Sequence, residues 1–90
     1  MSLSSRYKPS ADVMLSTVDD GAVLLHLKQG VYFGLNTVGA DIWDMLLRGM
    51  NSDECAAQLV EIYDIDAGSA VADYNALINE LLEQGLIESR

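Results

Sequence analysis

Between Val13 and Leu35, apolar side chains come in short runs broken by turn-forming residues; from Val38 onward they recur every three or four positions. The first pattern belongs to strands and the second to helices. The change of period near Asn36 therefore divides the chain into a β part and an α part. Val13–Val18 reads as a first strand, closed by Asp19-Asp20-Gly21, whose Asp-Gly pair is a strong hairpin-turn signal. Residues 22–27 are apolar on both alternating faces apart from His26, which fits a central strand and equally a short strand covered by the N-terminal segment. Lys28-Gln29-Gly30 supplies a second turn before a third strand over 31–35. The expected product is an antiparallel meander whose first and third strands are edges.

Asn36 and Thr37 both suit a helix N-cap, and Val38, Ile42, Trp43, Leu46 and Leu47 then keep helical spacing until Gly49. Asn51 and Glu54 stand in the relation of a capping box ahead of Cys55, Ala56, Leu59, Val60 and Tyr63. Asp66 caps a third and longer helix with the stripe Ala70, Val71, Tyr74, Leu77, Ile78 and Leu81, ended by Gly85, after which Leu86-Ile87 tucks back as a tail. The predicted class is α+β: a three-stranded antiparallel sheet followed by three helices, similar in layout to a winged helix-turn-helix. Four or five large side chains per helix, at roughly 2 kcal/mol each, suffice to hold the helices against one face of the sheet. Ninety residues allow one such domain. It is expected over 12–90, with 1–11 as an N-terminal lead carrying the lone Pro9; residues 1–3 are set aside from the fold reading.

Half the residues are apolar and about a fifth are charged, as in a folded chain. No apolar run reaches the roughly 18 to 20 residues that cross a bilayer, and no signal-peptide pattern opens the sequence, so a cytoplasmic protein is expected. Fourteen acidic residues stand against five basic ones, and from Gly49 to Ser89 there is no lysine or arginine. Such a balance favours a basic or neutral partner and repels nucleic acid. It also serves solubility alone in many proteins. The winged-helix layout makes DNA binding or regulation the alternative function, but helices two and three lack the basic residues that a recognition helix needs.

Catalytic chemistry finds no footing. His26 and Cys55 are single and lie in different halves, so no metal cluster is expected and no cofactor is implied. His26 fits a half-buried strand residue and Cys55 a small core residue. Asp41 with Asp44, and Glu80 with Glu83, fit solvated helix faces better than an acid/base pair. Gly30, Gly34 and Gly39 are too far apart for a phosphate loop. Ser4, Ser5 and Ser10 have no neighbouring base to activate them. A non-enzymatic binding module remains. Its third strand carries neither proline nor charge, the usual guards of an edge, so it can accept a foreign strand, with helix three as the wall of an adjoining groove.

Tyr32-Phe33-Gly34-Leu35-Asn36, followed by Val38-Gly39-Ala40 and Ile42-Trp43, resembles the central motif of the PqqD-like family. Leu59, Tyr63-Asp64-Ile65-Asp66, Leu77, Leu81-Leu82 and Gly85-Leu86-Ile87 resemble its second and third helices, so the likeness runs from about Asp12 to Glu88. The resemblance implies a peptide chaperone, or precursor-peptide recognition element, that binds the leader segment of a ribosomally made precursor and delivers it to a modifying enzyme. It implies strand pairing by Val31, Tyr32, Phe33, Gly34 and Leu35, and a cleft lined by Asp73, Tyr74, Leu77, Ile78 and Leu81. The Tyr-Phe-Gly-Leu-Asn form looks more like the lasso-peptide version, which works beside a leader peptidase and a cyclase. The version serving pyrroloquinoline quinone synthesis works beside a radical enzyme. Open edges would also allow two copies to pair as a homodimer.

Overall fold

In the computed structural model, which describes residues 6–89, the chain runs β1 (Tyr7–Pro9), β2 (Val13–Val18), β3 (Gly21–His26), β4 (Val31–Asn36), α1 (Thr37–Leu47), α2 (Ser52–Tyr63), α3 (Ala67–Glu83) and β5 (Ile87–Ser89). Residues 1–3, and Ser4 and Ser5, lie outside the described part. Strands β2, β3 and β4 form an antiparallel sheet in that order, and β1 pairs with β5 in a separate two-stranded sheet. The expected meander and three helices are present, and the third strand of the sequence reading is β4.

All three predicted caps are made. Asn36 accepts from the Gly39 N–H at 2.8 Å, Asn51 and Glu54 form a reciprocal capping box, and Asp66 accepts from the Ser69 N–H at 2.6 Å. Gly49 and Gly85, at φ of 78° and 71°, follow α1 and α3 in the left-handed conformation that glycine tolerates.

The first turn forms for a different reason from the one the Asp-Gly pair suggests. Val18 pairs with Gly21, so Asp19 and Asp20 are the loop residues, and neither they nor Gly21 has a positive φ. Gly21 is instead required by closeness, since a Cβ there would collide with the backbone carbonyl oxygen of Leu35 on the partner strand.

Burial alternates along β3, with Ala22, Leu24 and His26 turned inward. Leu24, Ile42, Met45, Leu46, Leu59, Leu81 and Leu86 are fully enclosed, and each such side chain contributes about 1.5–3 kcal/mol. His26 is buried too, and its Nδ1 accepts a 3.3 Å hydrogen bond from the Gln29 N–H, which ties the second turn to the strand.

The helices do not all lie on the sheet, as the sequence reading expected. α1 rests against β3 and β4, while α2 packs on α3, and α3 reaches β5. The aromatic Tyr63 on α2 donates its hydroxyl proton to Asp41 on α1, clamping the two helices; this bond and burial push the Tyr63 hydroxyl up to about 12. Tyr7–Pro9 falls in the stretch read as a lead, yet it pairs with residues 87–89, and Ser10 is held by two bonds to the same tail: its N–H donates to the Leu86 carbonyl at 2.9 Å and its hydroxyl to the Gly85 carbonyl at 2.7 Å. A three-residue strand whose partner lies at the far end of the chain leaves no local periodicity to read. Pro9 is tolerated there because a two-stranded ribbon consists only of edges.

Two glycines of this sheet should behave oppositely. Gly21→Ala is expected to destabilise by about 1–3 kcal/mol in urea unfolding, because backbone must move. Gly34→Ala, where a Cβ meets nothing within 4 Å, should stay within about 0.5 kcal/mol. Acid should expose the α3 cap: the Ser69 N–H holds the Asp66 carboxyl below its ordinary 3.8. A lowered folded-state value gives stability that is present above the ordinary pKa and is lost as pH falls through the folded one. Asp66→Asn, which caps at any pH, should therefore lose less stability than the parent between pH 5 and about 2.

Candidate functional site

The β4 edge of the β2–β3–β4 sheet adjoins a recess at Asn36, and the register of the sheet determines what that edge offers. Leu27 donates its N–H to the Asp12 carbonyl at 2.7 Å, which makes 12 and 27 a hydrogen-bonded pair. Bonded and non-bonded pairs alternate in an antiparallel ladder. Along β3, residues 21, 23 and 25 thus bond to β2, and 22, 24 and 26 bond to β4. Their β4 partners are Leu35, Phe33 and Val31. The backbone N–H and C=O groups of Tyr32 and Gly34 therefore point away from the sheet, and no other strand covers them among the described residues.

Side chains on β4 alternate in step. Leu35 is buried, and Val31 and Phe33 are half-buried on the helix side; Tyr32 and Gly34 are on the outer face, where Tyr32 is 72% exposed. Gly34 leaves that face bare between Tyr32 and Asn36.

β4 runs into α1 without a loop, because Asn36 is both its last residue and the helix cap. This junction brings the first turns of α1 beside the strand end, and α3 closes the other side. The result is a pocket of about 270 Å³ between Asn36, Val38, Gly39 and Ile42 on one wall and Asp73, Ala76, Leu77 and Glu80 on the other. The four α3 positions share one helix face by their spacing. Val38, Ile42, Ala76 and Leu77 give the pocket an apolar lining, while Asp73 and Glu80 stand one turn to either side of Leu77 with no basic residue in the pocket.

Of the ten residues carried over by resemblance, Asp73 and Leu77 line the pocket, and Tyr32 and Gly34 hold the free backbone groups. Val31 and Phe33 pair with β3 and lean on the helix side. Leu35, carried over for strand pairing, also pairs with β3, and its side chain is buried. The structure moves Tyr74, Ile78 and Leu81 from the cleft to the core, where each is at most 4% exposed. One residue along a helix is a 100° rotation, so the 74-78-81 row faces inward while the 73-77-80 row faces the pocket. Asn36, Val38, Gly39, Ile42, Ala76 and Glu80 also line the pocket but were not among the expected site residues. The signal for the first four was present in the cap at Asn36, which places a helix start directly against the strand end.

No group of three or more metal-ligating side chains converges among the described residues. Burial pushes the Cys55 thiol up to about 11, and the helix cap region's Glu54 adds to the shift, so this cysteine is a neutral core group. Exposed Asp73, Glu80 and Glu83 on α3 oppose its entry into a DNA groove. No described helix is long and apolar enough to cross a membrane.

The Tyr74 hydroxyl is buried with no hydrogen-bond partner among the described residues, and burial raises its pKa. Removing an unsatisfied buried hydroxyl costs little or stabilises. Tyr74→Phe is therefore expected to unfold at an equal or higher temperature, as read by circular dichroism.

Residues 21–87 match the protein family described as Coenzyme PQQ synthesis protein D (PqqD). No protein of curated function matches the chain. Among solved structures, TbiB1 in complex with the TbiA(beta) leader peptide is 34% identical, with a TM-score of 0.84, and the match covers 90% of this chain and 94% of that one. Lasso peptide synthetase B1 complexed with the leader peptide is 29% identical, with a TM-score of 0.85 over 92% of this chain and 98% of that one.

Proposed function

We propose the following for this chain, which belongs to the PqqD family: it binds the leader segment of a ribosomally made precursor peptide as an extra strand on β4 and delivers that precursor to a modifying enzyme. The observation that carries this reading is the pair of outward-facing backbone positions, Tyr32 and Gly34, next to a pocket partly lined by apolar side chains. An extended guest gains main-chain hydrogen bonds along such an edge, and its alternate side chains supply selectivity. Guest residues opposite Tyr32 and Gly34 put their side chains on the outer face, where Gly34 leaves room. The intervening ones fall on the helix side. In an antiparallel guest the N-terminal part reaches Asn36 and the pocket, where Leu77 offers apolar contact and Asp73 and Glu80 favour a neighbouring lysine or arginine.

Both leader-bound neighbours support this role, and the one known as lasso peptide synthetase B1 supports a lasso-peptide setting. There the recipient is a leader peptidase rather than a radical enzyme. The chain acts as a binding module, with no catalytic step of its own.

Calorimetric titration with leader peptides encoded beside the gene tests the reading directly. Tyr32→Pro removes an outward N–H but no bond to β3, so it should weaken binding at least tenfold, about 1.4 kcal/mol, while leaving the sheet intact. Leu77→Asp should do the same through the pocket. Unchanged affinity in both variants would remove β4 and the pocket from consideration. Affinity for a leader with basic residues should also fall as salt rises from 50 to 500 mM, since exposed charges are screened; a flat series would assign the acidic surface to solubility alone.

A further inference from the structure

The opposite edge of the same sheet is also open. By the alternation derived above, the backbone groups of Val13, Leu15 and Thr17 point away from β3, and no strand pairs with them among the described residues. Edge strands are normally guarded by proline, lysine or an inward charge. β2 reads Val-Met-Leu-Ser-Thr-Val and has none of these. Large apolar groups stand exposed on both of its faces: Leu15, 41% exposed, on the helix side, and Met14 and Val18, 56% and 54% exposed, on the outer side. The two ends differ in charge. At the start, Asp12 is met by Lys28 at 3.8 Å, whereas at the finish the Asp19 and Asp20 carboxylates have no ion pair among the described residues.

We propose that the β2 edge is a second strand-accepting surface, whose occupant is an extended segment of a partner protein with apolar side chains on both faces and a lysine or arginine at its N-terminal end. Exposed Met14, Leu15 and Val18 require the apolar character. The unpaired Asp19-Asp20 turn requires the cation, and antiparallel addition, the more stable pairing, brings the guest's N-terminus to that turn. A second copy is a poor occupant because each chain carries a net charge of −9. The surface is separate from β4, so a chain holding a leader on one side of the sheet can dock to a protein on the other.

The test uses the full chain, followed by amide hydrogen exchange in NMR, and a blocked hexapeptide of sequence Lys-Val-Leu-Val-Thr-Val. Its addition should slow exchange at Val13, Leu15 and Thr17 at least fivefold and leave Tyr32 and Gly34 unchanged. The same peptide with lysine moved to the last position should bind at least threefold more weakly. Leu15→Pro, which deletes one outward N–H, should abolish the protection. Asp19→Lys, an exposed turn substitution that leaves the strand intact, should reduce affinity at least threefold and decides the matter if the proline variant misfolds. Protection at Tyr32 and Gly34 instead, indifference to lysine position, or concentration-dependent protection of β2 without peptide would each overturn the proposal, the last by showing a second copy on the edge. Loss of this binding with leader capture intact would leave the β4 reading standing, because different amides report the two edges.

Discussion

A central strand in a three-stranded sheet commits the backbone of each residue to one neighbour or the other, and everything else about this molecule's surface follows from how β3 divides its own. The Leu27–Asp12 bond sets the phase. From it, Tyr32 and Gly34 on one side and Val13, Leu15 and Thr17 on the other must face outward. A shift of one residue would exchange the free groups for the bonded ones and turn Leu24 and Leu35 out of the core. Burial of those leucines therefore also holds the open β4 edge in register.

Close approach supports the same register. Gly21 lies so near the Leu35 carbonyl that no larger residue fits, which pins the first residue of β3 against the end of β4. Thr37 donates its hydroxyl proton to the Asp20 carbonyl at 2.9 Å, so the turn before β3 is also tied to the start of α1. The strand end, the helix start and the pocket wall thus meet at one hydrogen-bonded joint. A site on such a joint is organised before its guest arrives, which lowers the entropic cost of binding.

Charge and hydropathy then divide the labour. The sheet edges are apolar and uncharged, and suit any extended backbone, whereas the carboxylates that could select among guests stand on α3 and at the Asp19-Asp20 turn. For a guest strand on such an edge, backbone pairing would supply affinity with little sequence preference, and nearby charge and pocket size would supply the preference.

Local signals in the sequence determined the elements. Short apolar runs between turn signals marked three strands, Asn36, Asn51 and Asp66 marked three helix starts, and Gly49 and Gly85 marked two ends, because each of these depends on residues within one turn or one hairpin. The motif around Tyr32-Phe33-Gly34-Leu35-Asn36 likewise pointed to the edge that adjoins the pocket. What the tertiary structure decided was orientation. Within the stripe of α3, Tyr74, Ile78 and Leu81 turned inward while Leu77, with Asp73, Ala76 and Glu80, faced the pocket, a choice set by where α2 and β5 pack on α3. The pairing of Tyr7–Pro9 with Ile87–Ser89 was equally hidden. Both depend on contacts between segments distant in sequence, and periodicity within a segment carries no record of which neighbour it will meet.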